Sequence, residues 1–367
     1  MKAIFYSPIA RASPLQASGV SRVAQLLVDA LRSAGCEIST PRLPRTFDAG
    51  GDSALQYACR ADSVAAASIL LSEISSGRKT RPDFWFTYHV YYKSPDWIGP
   101  IVSKELGIPY IVAEGSHAPK RALGPWALGH EGTTKALQHS SMLLAMTAFD
   151  RVCLDRVAPG KVHDLKPFID VEPYLLTCTQ FRHSRSPARL LSVAMMRNER
   201  KLASYQLLAQ ALDHSRGRAV QLSIAGDGPY LPQVRACFAP LSDFHEIIFL
   251  GEVSPLKVPT VMSEADVFVW PGLGEAYGLV YLEAQAAGLP VVACRDRGVP
   301  DVTVEGETAL LSQPANALAL ASNIQLMLND LEMCRRMSQN AKTFVTDQRN
   351  LTKAGERLRM LISRVVY

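Results

Sequence analysis

The chain has 367 residues, of which 48% are hydrophobic and 20% charged, and it carries a formal net charge of +5. This composition excludes an intrinsically disordered or collagen-like chain, and the length favours two domains over one. Seven cysteines at wide spacing form no Cys-x-x-Cys pair, which argues against a zinc site or a disulfide framework and favours a reducing compartment.

Short apolar runs alternate with helical patterns along the whole chain. The predicted strands of the first half are Lys2–Ile9, Glu37–Thr40, Phe84–His89, Pro109–Ala113, Met142–Thr147 and Val162–Pro167. Those of the second half are Arg189–Met195, Gln221–Ala225, Glu246–Leu250, Asp266–Trp270, Pro290–Ala293 and Ala309–Leu311. These strands are continuous apolar runs, as in parallel sheets covered on both faces, so the pattern predicts two doubly wound α/β domains.

Helical periodicity covers Val20–Ala34 and Ser53–Ser75 in the first half. The tail from Ala315 to Tyr367 is predicted to be helical throughout, with one break at Asp347–Asn350. A domain boundary is expected near residues 173–187, because Thr177–Pro187 is polar and lacks periodicity.

The densest functional signal is the segment Trp270–Leu289, in which a predicted strand runs through a glycine-rich loop into a helix. The helix should begin near Gly278 and stop at Gly288. Unpaired amides of Gly278, Leu279 and Val280 at the helix start would form an anion site suited to a diphosphate. Glu275 and Glu283 flank this site and can accept hydrogen bonds from sugar hydroxyls. Alternatively, Glu275 only caps the helix and Glu283 lies on a solvated helix face.

This segment resembles the signature of the family 4 glycosyltransferases, through Glu275 and Glu283 at a spacing of eight and the surrounding G-E-A-Y-G-L-V-Y-L-E-A-Q-A-A-G-L-P-V-V-A. The resemblance covers most of the C-terminal half and only loosely the N-terminal half. It implies the GT-B fold, in which two Rossmann-like doubly wound domains face a central cleft. It further implies transfer of a hexose-type sugar from a nucleotide-diphosphate donor, with retention of configuration, to a glycan, glycolipid or small-molecule acceptor.

The resemblance also assigns roles to the predicted domains. Residues 1–172 would bind the acceptor and residues 173–347 the nucleotide sugar, while the helix of residues 348–367 would pack back on the first domain. Glu275 would contact donor sugar hydroxyls and Glu283 the ribose. Closure of the domains would exclude water from the reaction.

A second group of charges, Arg197 and Lys201, follows the first strand of the second domain. Two cations here can neutralise a leaving diphosphate, and the family usually carries an Arg followed by a Lys at this place. Alternatively, the two residues belong to a solvated turn rich in charge. Met196 and Leu202 stand where the family has glycines, which makes the loop conformation atypical. Gly226, in the turn Gly226-Asp227-Gly228-Pro229, resembles the family's Gly-x-Gly-Pro turn at the same edge.

Candidates in the first domain are fewer. Gly19 begins the first helix and would let backbone approach a ligand. His117 follows the strand Pro109–Ala113, and the resemblance makes it a contact to a donor sugar hydroxyl or a group that stabilises positive charge near the reacting carbon; alternatively it has a structural role. His89 is a similar candidate at the end of its own strand. The aromatic segment Tyr88–Trp97 can be an acceptor platform or a loop that covers the core, and the cations around Lys120 would suit a phosphorylated or lipid-linked acceptor.

Other functions are less well supported by the sequence. The absence of Asp-x-Asp argues for a metal-independent enzyme without cofactors, in which protein cations replace the metal. A nucleotide-sugar epimerase lacks an evident acid–base pair, and an NAD-dependent enzyme lacks Gly-x-Gly-x-x-Gly after the first strand. A non-catalytic homologue acting as a scaffold or partner subunit remains an alternative.

The chain shows no leader-like segment and no apolar run long enough to span a membrane, so a cytoplasmic protein is expected. Residues 1–170 carry 19 Lys and Arg against 15 Asp and Glu. This modest excess is compatible with peripheral membrane contact through the first domain, or with ordinary solvated charge. No basic run interleaved with aromatics indicates nucleic-acid binding.

Overall fold

A computed structural model describes residues 1–10, 19–177, 187–197 and 199–366. The predicted linker Thr177–Pro187 therefore falls almost entirely outside the described residues. Contacts divide the chain into two compact units, the first comprising Met1–Lys166 with Leu351–Tyr367 and the second Pro167–Asn350.

Each unit contains a six-stranded sheet within the described ranges, and every strand pair is parallel. The first unit has β1 (Lys2–Tyr6), β2 (Glu37–Ser39), β3 (Phe84–Val90), β4 (Tyr110–Gly115), β5 (Met142–Ala145) and β6 (Val162–Asp164). The second has β7 (Ala188–Val193), β8 (Val220–Ala225), β9 (Glu246–Gly251), β10 (Val267–Val269), β11 (Val291–Cys294) and β12 (Ala309–Ser312). All twelve predicted strands are thus confirmed, with ends that differ by one to three residues.

Helices connect successive strands, as parallel pairing requires. They are α1 (Gly19–Ser33), α2 (Ser53–Ser75), α3 (Gly99–Leu106), α4 (Ala127–His139), α5 (Ala148–Val157), α6 (Glu172–Leu175), α7 (Glu199–Asp213), α8 (Leu231–Phe238), α9 (Val258–Ser263), α10 (Leu279–Ala286), α11 (Ala317–Asn329), α12 (Leu331–Gln348) and α13 (Leu351–Val366).

The predicted helical tail contains one break more than expected. Besides the break before α13, the chain leaves the helix at Asp330, whose carboxylate accepts a hydrogen bond from the amide of Met333 at 2.8 Å and begins α12. Aspartate is a strong N-cap residue, so this break was readable from the sequence. The last helix, α13, packs against α1 within the first unit, where Arg359 Nε donates to the carbonyl of Ala34 at 3.0 Å.

Strand order places a topological switch point in each sheet. The first sheet has the order β2-β1-β3-β4-β5-β6. Strand β2 lies on one side of β1 and β3 on the other, so the switch point lies between β1 and β3. The second has the order β12-β11-β10-β7-β8-β9, with the switch between β7 and β10. Ligands of doubly wound sheets bind beyond the carboxyl ends of the strands at such points.

Strands at the centre of both sheets are buried on both faces. Trp85 in the first unit and Phe268 in the second are fully buried. Among the described residues, no helix is both long and apolar enough to cross a membrane. The six cysteines that the structure describes all have free thiols.

Candidate functional site

The loops that follow β7 and β10 meet at the switch point of the second sheet. The two strands are neighbours, with Val267 opposite Leu190 and Phe268 opposite Leu191. The helix α7 follows the first loop and α10 follows the second. The residues predicted to hold the donor are therefore brought to one edge of one sheet.

Lys201 and Glu275 form an ion pair across this switch point, between Nζ of the first and Oε1 of the second. The indole Nε1 of Trp270 donates a hydrogen bond of 3.1 Å to the same oxygen. The ammonium also lies over the indole ring, 5.4 Å from its centroid. The side chains are 25% and 16% exposed, so the pair is largely shielded from water yet open to a ligand.

The segment Trp270–Glu275 is fixed by three hydrogen bonds to three different parts of the chain. Tyr281, buried in α10, donates its hydroxyl to the carbonyl of Trp270 at 3.0 Å. The amide of Leu273 donates to Ser204 Oγ at 3.0 Å, and the amide of Gly274 donates to Asp296 Oδ2 at 2.7 Å. Such support holds Glu275 in one position before any ligand arrives, which is what a preorganised site requires.

Two glycines of this loop are required by its geometry. Gly272 has φ +68°, and a Cβ there would overlap the Tyr281 hydroxyl. Gly274 has φ +73°, and a Cβ would lie 2.7 Å from Cδ of Arg200. The sequence therefore needs glycine here for two reasons, a left-handed backbone and a close approach.

The helix α10 begins without a side-chain cap. Gly278 is its N-cap residue, with φ +76° and no side chain to form a cap. The Glu275 carboxylate instead accepts from Trp270 and Lys201, and none of the described amides of α10 donates to it. By position, the amides of Leu279 and Val280 have no acceptor within the helix, whereas the amide of Tyr281 donates to the carbonyl of Gly278 at 3.1 Å. These first-turn amides sit at the positive end of the helix dipole.

Glu283 lies on the buried side of α10 and is 4% exposed. This excludes the alternative in which it belongs to a solvated helix face. The helix ends as predicted at Gly288, whose φ is +81°, and the amide of Leu289 returns to the carbonyl of Ala284 at 2.9 Å.

The loop that carries Arg197 packs against the turn after β8. A Cβ on Gly226 would overlap the carbonyl of Ala194, and one on Gly228 would overlap that of Met196. The amide of Met196 donates to the carbonyl of Asp227 at 2.9 Å. Gly226 is thus required by packing between the two loops, whether or not a ligand contacts it. Arg197 itself is exposed, and Asn198 lies outside the described residues.

The first-unit candidates lie at the carboxyl edge of their own sheet. His117 follows β4 and is half-buried, with its ring centroid 5.1 Å from that of His130. Burial, and then the neighbouring His130, lowers the pKa of His117. His89 Nδ1 lies 3.0 Å from Glu114 Oε1. Gly19 opens α1 at the surface with space around it, and the residues before it are not described.

Sequence reasoning missed the residues that position Glu275. No sequence motif indicates these residues, because their side chains bond backbone groups of the loop and not Glu275 itself. They are Tyr281, Ser204 and Asp296. The available signal was a tyrosine in the first turn of a helix that follows a glycine-rich loop. The sequence pattern indicates only that a strand ends at Trp270, whereas the structure shows its indole donating to Glu275.

Most of the second unit is similar in sequence to a known protein family. Residues 180–344 match the family described as glycosyl transferases group 1. The phosphatidylinositol monomannoside mannosyltransferase of Mycolicibacterium smegmatis, named as GDP-mannose-dependent, is 30% identical over 166 residues, which cover 43% of this chain and 44% of that protein. The D-inositol 3-phosphate glycosyltransferase of Corynebacterium glutamicum is 30% identical over 197 residues, or 50% of this chain and 47% of that protein.

Solved structures extend the likeness to the whole chain at the level of the fold. A glycosyltransferase from Rickettsia africae has a TM-score of 0.75 at 14% identity and covers 100% of this chain and 98% of its own. Anabaena HepE, solved with UDP, has a TM-score of 0.71 at 13% identity and covers 99% and 100%. The chain therefore has the two-domain Rossmann-like fold of the GT-B glycosyltransferases. It spans less than half the length of the curated relatives cited above.

Proposed function

We propose that this protein is a glycosyltransferase that moves a hexose-type sugar from a nucleotide-diphosphate donor to a glycan, glycolipid or small-molecule acceptor. One observation carries the proposal: the Lys201–Glu275 ion pair at the switch point of the second sheet, beside the free amides of α10. The family match over residues 180–344 supports the same chemistry.

In this proposal the donor diphosphate binds at the start of α10. The amides of Leu279 and Val280 hydrogen-bond its oxygens, and the helix dipole favours its charge. Lys201 turns from Glu275 to the diphosphate, since two phosphate groups carry more negative charge than one carboxylate. Arg197, exposed on the neighbouring loop, adds a second cation.

Glu275 then takes the role of a sugar contact. Trp270 and Lys201 both engage Oε1, so Oε2 is the oxygen that a donor hydroxyl would reach. Glu283 is proposed to bind the ribose and His117 the donor sugar, on the strength of the family resemblance. Cations that stabilise the departing diphosphate lower the barrier, because its charge grows in the transition state.

Retention and metal independence belong to the proposal as well. Among the described residues there is no cluster of three or more His, Cys, Asp or Glu side chains that could hold a metal ion. Slow hydrolysis of the donor tests both points without knowledge of the acceptor. UDP-glucose and GDP-mannose are each followed by time-resolved proton NMR, with and without EDTA, before the released sugar mutarotates.

The proposal expects one donor to be hydrolysed at a rate that EDTA does not change. The first product should be the α-anomer. A β-anomer would overturn retention, and loss of turnover in EDTA would overturn metal independence. Binding of a nucleotide without any turnover would favour the non-catalytic scaffold instead.

A further inference from the structure

We propose that the carboxyl edge of the first sheet holds a subsite for a saccharide that bears a phosphate or carboxylate group. The assignment of this saccharide as the acceptor rests on the proposed function, whereas the binding of the saccharide does not. It is formed by a row of rings, a polar pair at one end of the row and two cations at the other. The ring row comprises His89, Tyr91, Tyr92 and Trp126.

The subsite lies at the end of β3, one of the two strands that flank the switch point of the first sheet. The loop after β3 is held by Asp96, which is 1% exposed and accepts hydrogen bonds from Thr87 and Tyr110 at 2.6 and 2.9 Å. The amides of Ile98 and Gly99 donate to its other oxygen, each at 2.8 Å. These bonds hold the loop in one conformation. Asp96 itself is buried and serves only to position the loop.

A strained polar pair marks one end of the ring row. His89 and Glu114 occupy matching places on β3 and β4, and both have left-handed backbone, with φ of +66° and +55°. Only four non-glycine residues of the described chain have positive φ, and these two contact each other. Such backbone costs about 1–3 kcal/mol per residue and clusters at functional sites. The pair presents an imidazole and a carboxylate that suit sugar hydroxyls.

The ring row extends from this pair across the surface. His89 and Tyr91 have centroids 5.0 Å apart, Tyr91 and Tyr92 5.5 Å, and Tyr92 and Trp126 5.6 Å, each in an edge-to-face arrangement. All four side chains are half-buried. Aromatic walls with a few placed polar groups are the common lining of small-ligand sites, and the apolar face of a sugar ring packs against them.

Two cations lie over the far end of the ring row. The Arg121 guanidinium is 5.3 Å from the Tyr92 ring centroid and 5.0 Å from that of Trp126. Lys93 Nζ is 4.9 Å from the centroid of Trp126. Among the described residues, neither cation has a carboxylate within salt-bridge distance. An anionic group on the ligand would supply the charge they lack.

Unsatisfied polar atoms concentrate in the same region. Apart from His89 Nδ1, which contacts Glu114 Oε1, eight buried side-chain nitrogen or oxygen atoms of the described chain have no hydrogen-bond partner, and five belong to residues between 94 and 133. Native proteins leave few such atoms, so a cluster of them indicates groups that a ligand satisfies. Of the residues that carry these atoms, Arg121, Trp126 and His130 are half-buried and lie close to the surface, whereas Ser94 and Thr133 are buried. The five atoms are Ser94 Oγ, Arg121 Nε, Trp126 Nε1, His130 Nε2 and Thr133 Oγ1.

Tryptophan fluorescence of the full chain tests the subsite, because Trp126 is half-buried in the ring row. Trp85 and Trp270 are fully buried, and Trp97, which is also half-buried, is controlled for by the Trp126→Phe variant. The probes are glucose 6-phosphate and glucuronic acid, with glucose and inorganic phosphate as partial ligands. The charged sugars should bind at least tenfold more tightly than either partial ligand. Trp126→Phe should remove the fluorescence change, and Arg121→Gln should reduce the charged sugars to the affinity of glucose.

Arg235→Gln is the matched control, since Arg235 lies 4.4 Å from the Phe249 ring centroid in the second unit. It should leave binding of the charged sugars unchanged. Equal affinity for charged and neutral sugars, or full affinity in Arg121→Gln, would overturn the subsite. A parallel UDP titration separates the two proposals: UDP binding without sugar binding refutes the subsite alone, and the reverse result refutes the donor site alone.

Discussion

Lys201 and Glu275 lie 74 positions apart in the chain and form an ion pair at the switch point of the second sheet, beside the Trp270 indole. Neither residue is on a strand. Each belongs to the segment that follows a strand, and only the adjacency of β7 and β10 brings the two together. The proposed chemistry at this pair therefore depends on the strand order of the sheet.

Lys201→Ala should lower kcat/KM by about 100-fold or more, because it removes a cation from the developing charge of the leaving diphosphate. Initial rates of donor hydrolysis measure the effect. Lys353→Ala is the matched control: it breaks a Lys–Glu pair of 2.8 Å on the exposed face of α13 and should leave the rate unchanged. A loss below threefold in Lys201→Ala would remove this residue from the proposed mechanism.

Tyr281→Phe should lower the free energy of unfolding by about 1–2 kcal/mol, because the buried carbonyl of Trp270 loses its donor. It should also weaken nucleotide binding, since the loop that carries Glu275 loosens. Tyr6→Phe removes a comparable bond of 2.7 Å, to the carbonyl of Pro44 in the first unit. Urea unfolding and calorimetry should show similar instability in both variants but weaker nucleotide binding only in Tyr281→Phe.

Gly272→Ala should cost more stability than Gly251→Ala, although both glycines have φ +68° and lie in the second unit. A Cβ at residue 272 overlaps the Tyr281 hydroxyl, whereas none of the described atoms lies within 4 Å of one at residue 251. The second change should cost about 1 kcal/mol from backbone strain alone, and the first at least 1 kcal/mol more from overpacking. Equal midpoints in urea would contradict the fixed position of Tyr281.

Arg297→Gly should be more stable than Arg297→Ala by about 1 kcal/mol. Arg297 has φ +43°, in the left-handed region that favours glycine. Both variants lose the same side-chain contacts, so their difference reports the cost of the left-handed backbone, reduced by the greater unfolded-chain entropy of glycine. Thermal unfolding compares the two, and equal Tm values would show that the backbone relaxes at this position.

The first unit should lose stability at mildly acidic pH before the second. Burial lowers the pKa of His117, His130, His139 and His163, all in the first unit. A depressed folded-state pKa means that the unfolded chain takes up protons first, so stability is complete above about 6.5 and falls as the pH drops through the folded values. Hydrogen exchange by mass spectrometry at pH 7.5 and 5.5 resolves the two units.

A double variant, His117→Gln with His130→Gln, provides the control for that experiment. Its first unit should show a smaller loss of protection between the two pH values than the unaltered protein. Unchanged acid sensitivity in the double variant would assign the effect to other groups.

Much of the fold follows from the sequence because parallel strands buried on both faces are continuous apolar runs. The twelve strands could be located for that reason, and their ends could not, because the last residue of a strand such as Tyr6 is set by the loop beyond it. The extra helix break lies at Asp330, which is the N-cap residue of α12. The helical periodicity continues across this position, so periodicity alone did not indicate the break.

Residues of the candidate site could be predicted only where the residue type itself indicates a chemical role. Glu275 and Lys201 could be nominated separately, but their pairing depends on strand order, which single-chain periodicity does not give. Tyr281 and Asp296 act through backbone atoms of a neighbouring loop, and the His89–Glu114 pair depends on left-handed backbone in two adjacent strands. None of these relationships has a local sequence pattern.

Nucleotide titration calorimetry tests the central claim most directly. The purified chain is titrated with UDP, GDP and ADP, with and without magnesium, beside Lys201→Ala and Glu283→Ala. The account predicts selective binding of one nucleotide that magnesium does not alter and that both substitutions weaken. If none of the three binds at millimolar concentration, or if the bound nucleotide is indifferent to both substitutions, the donor site is not at the start of α10.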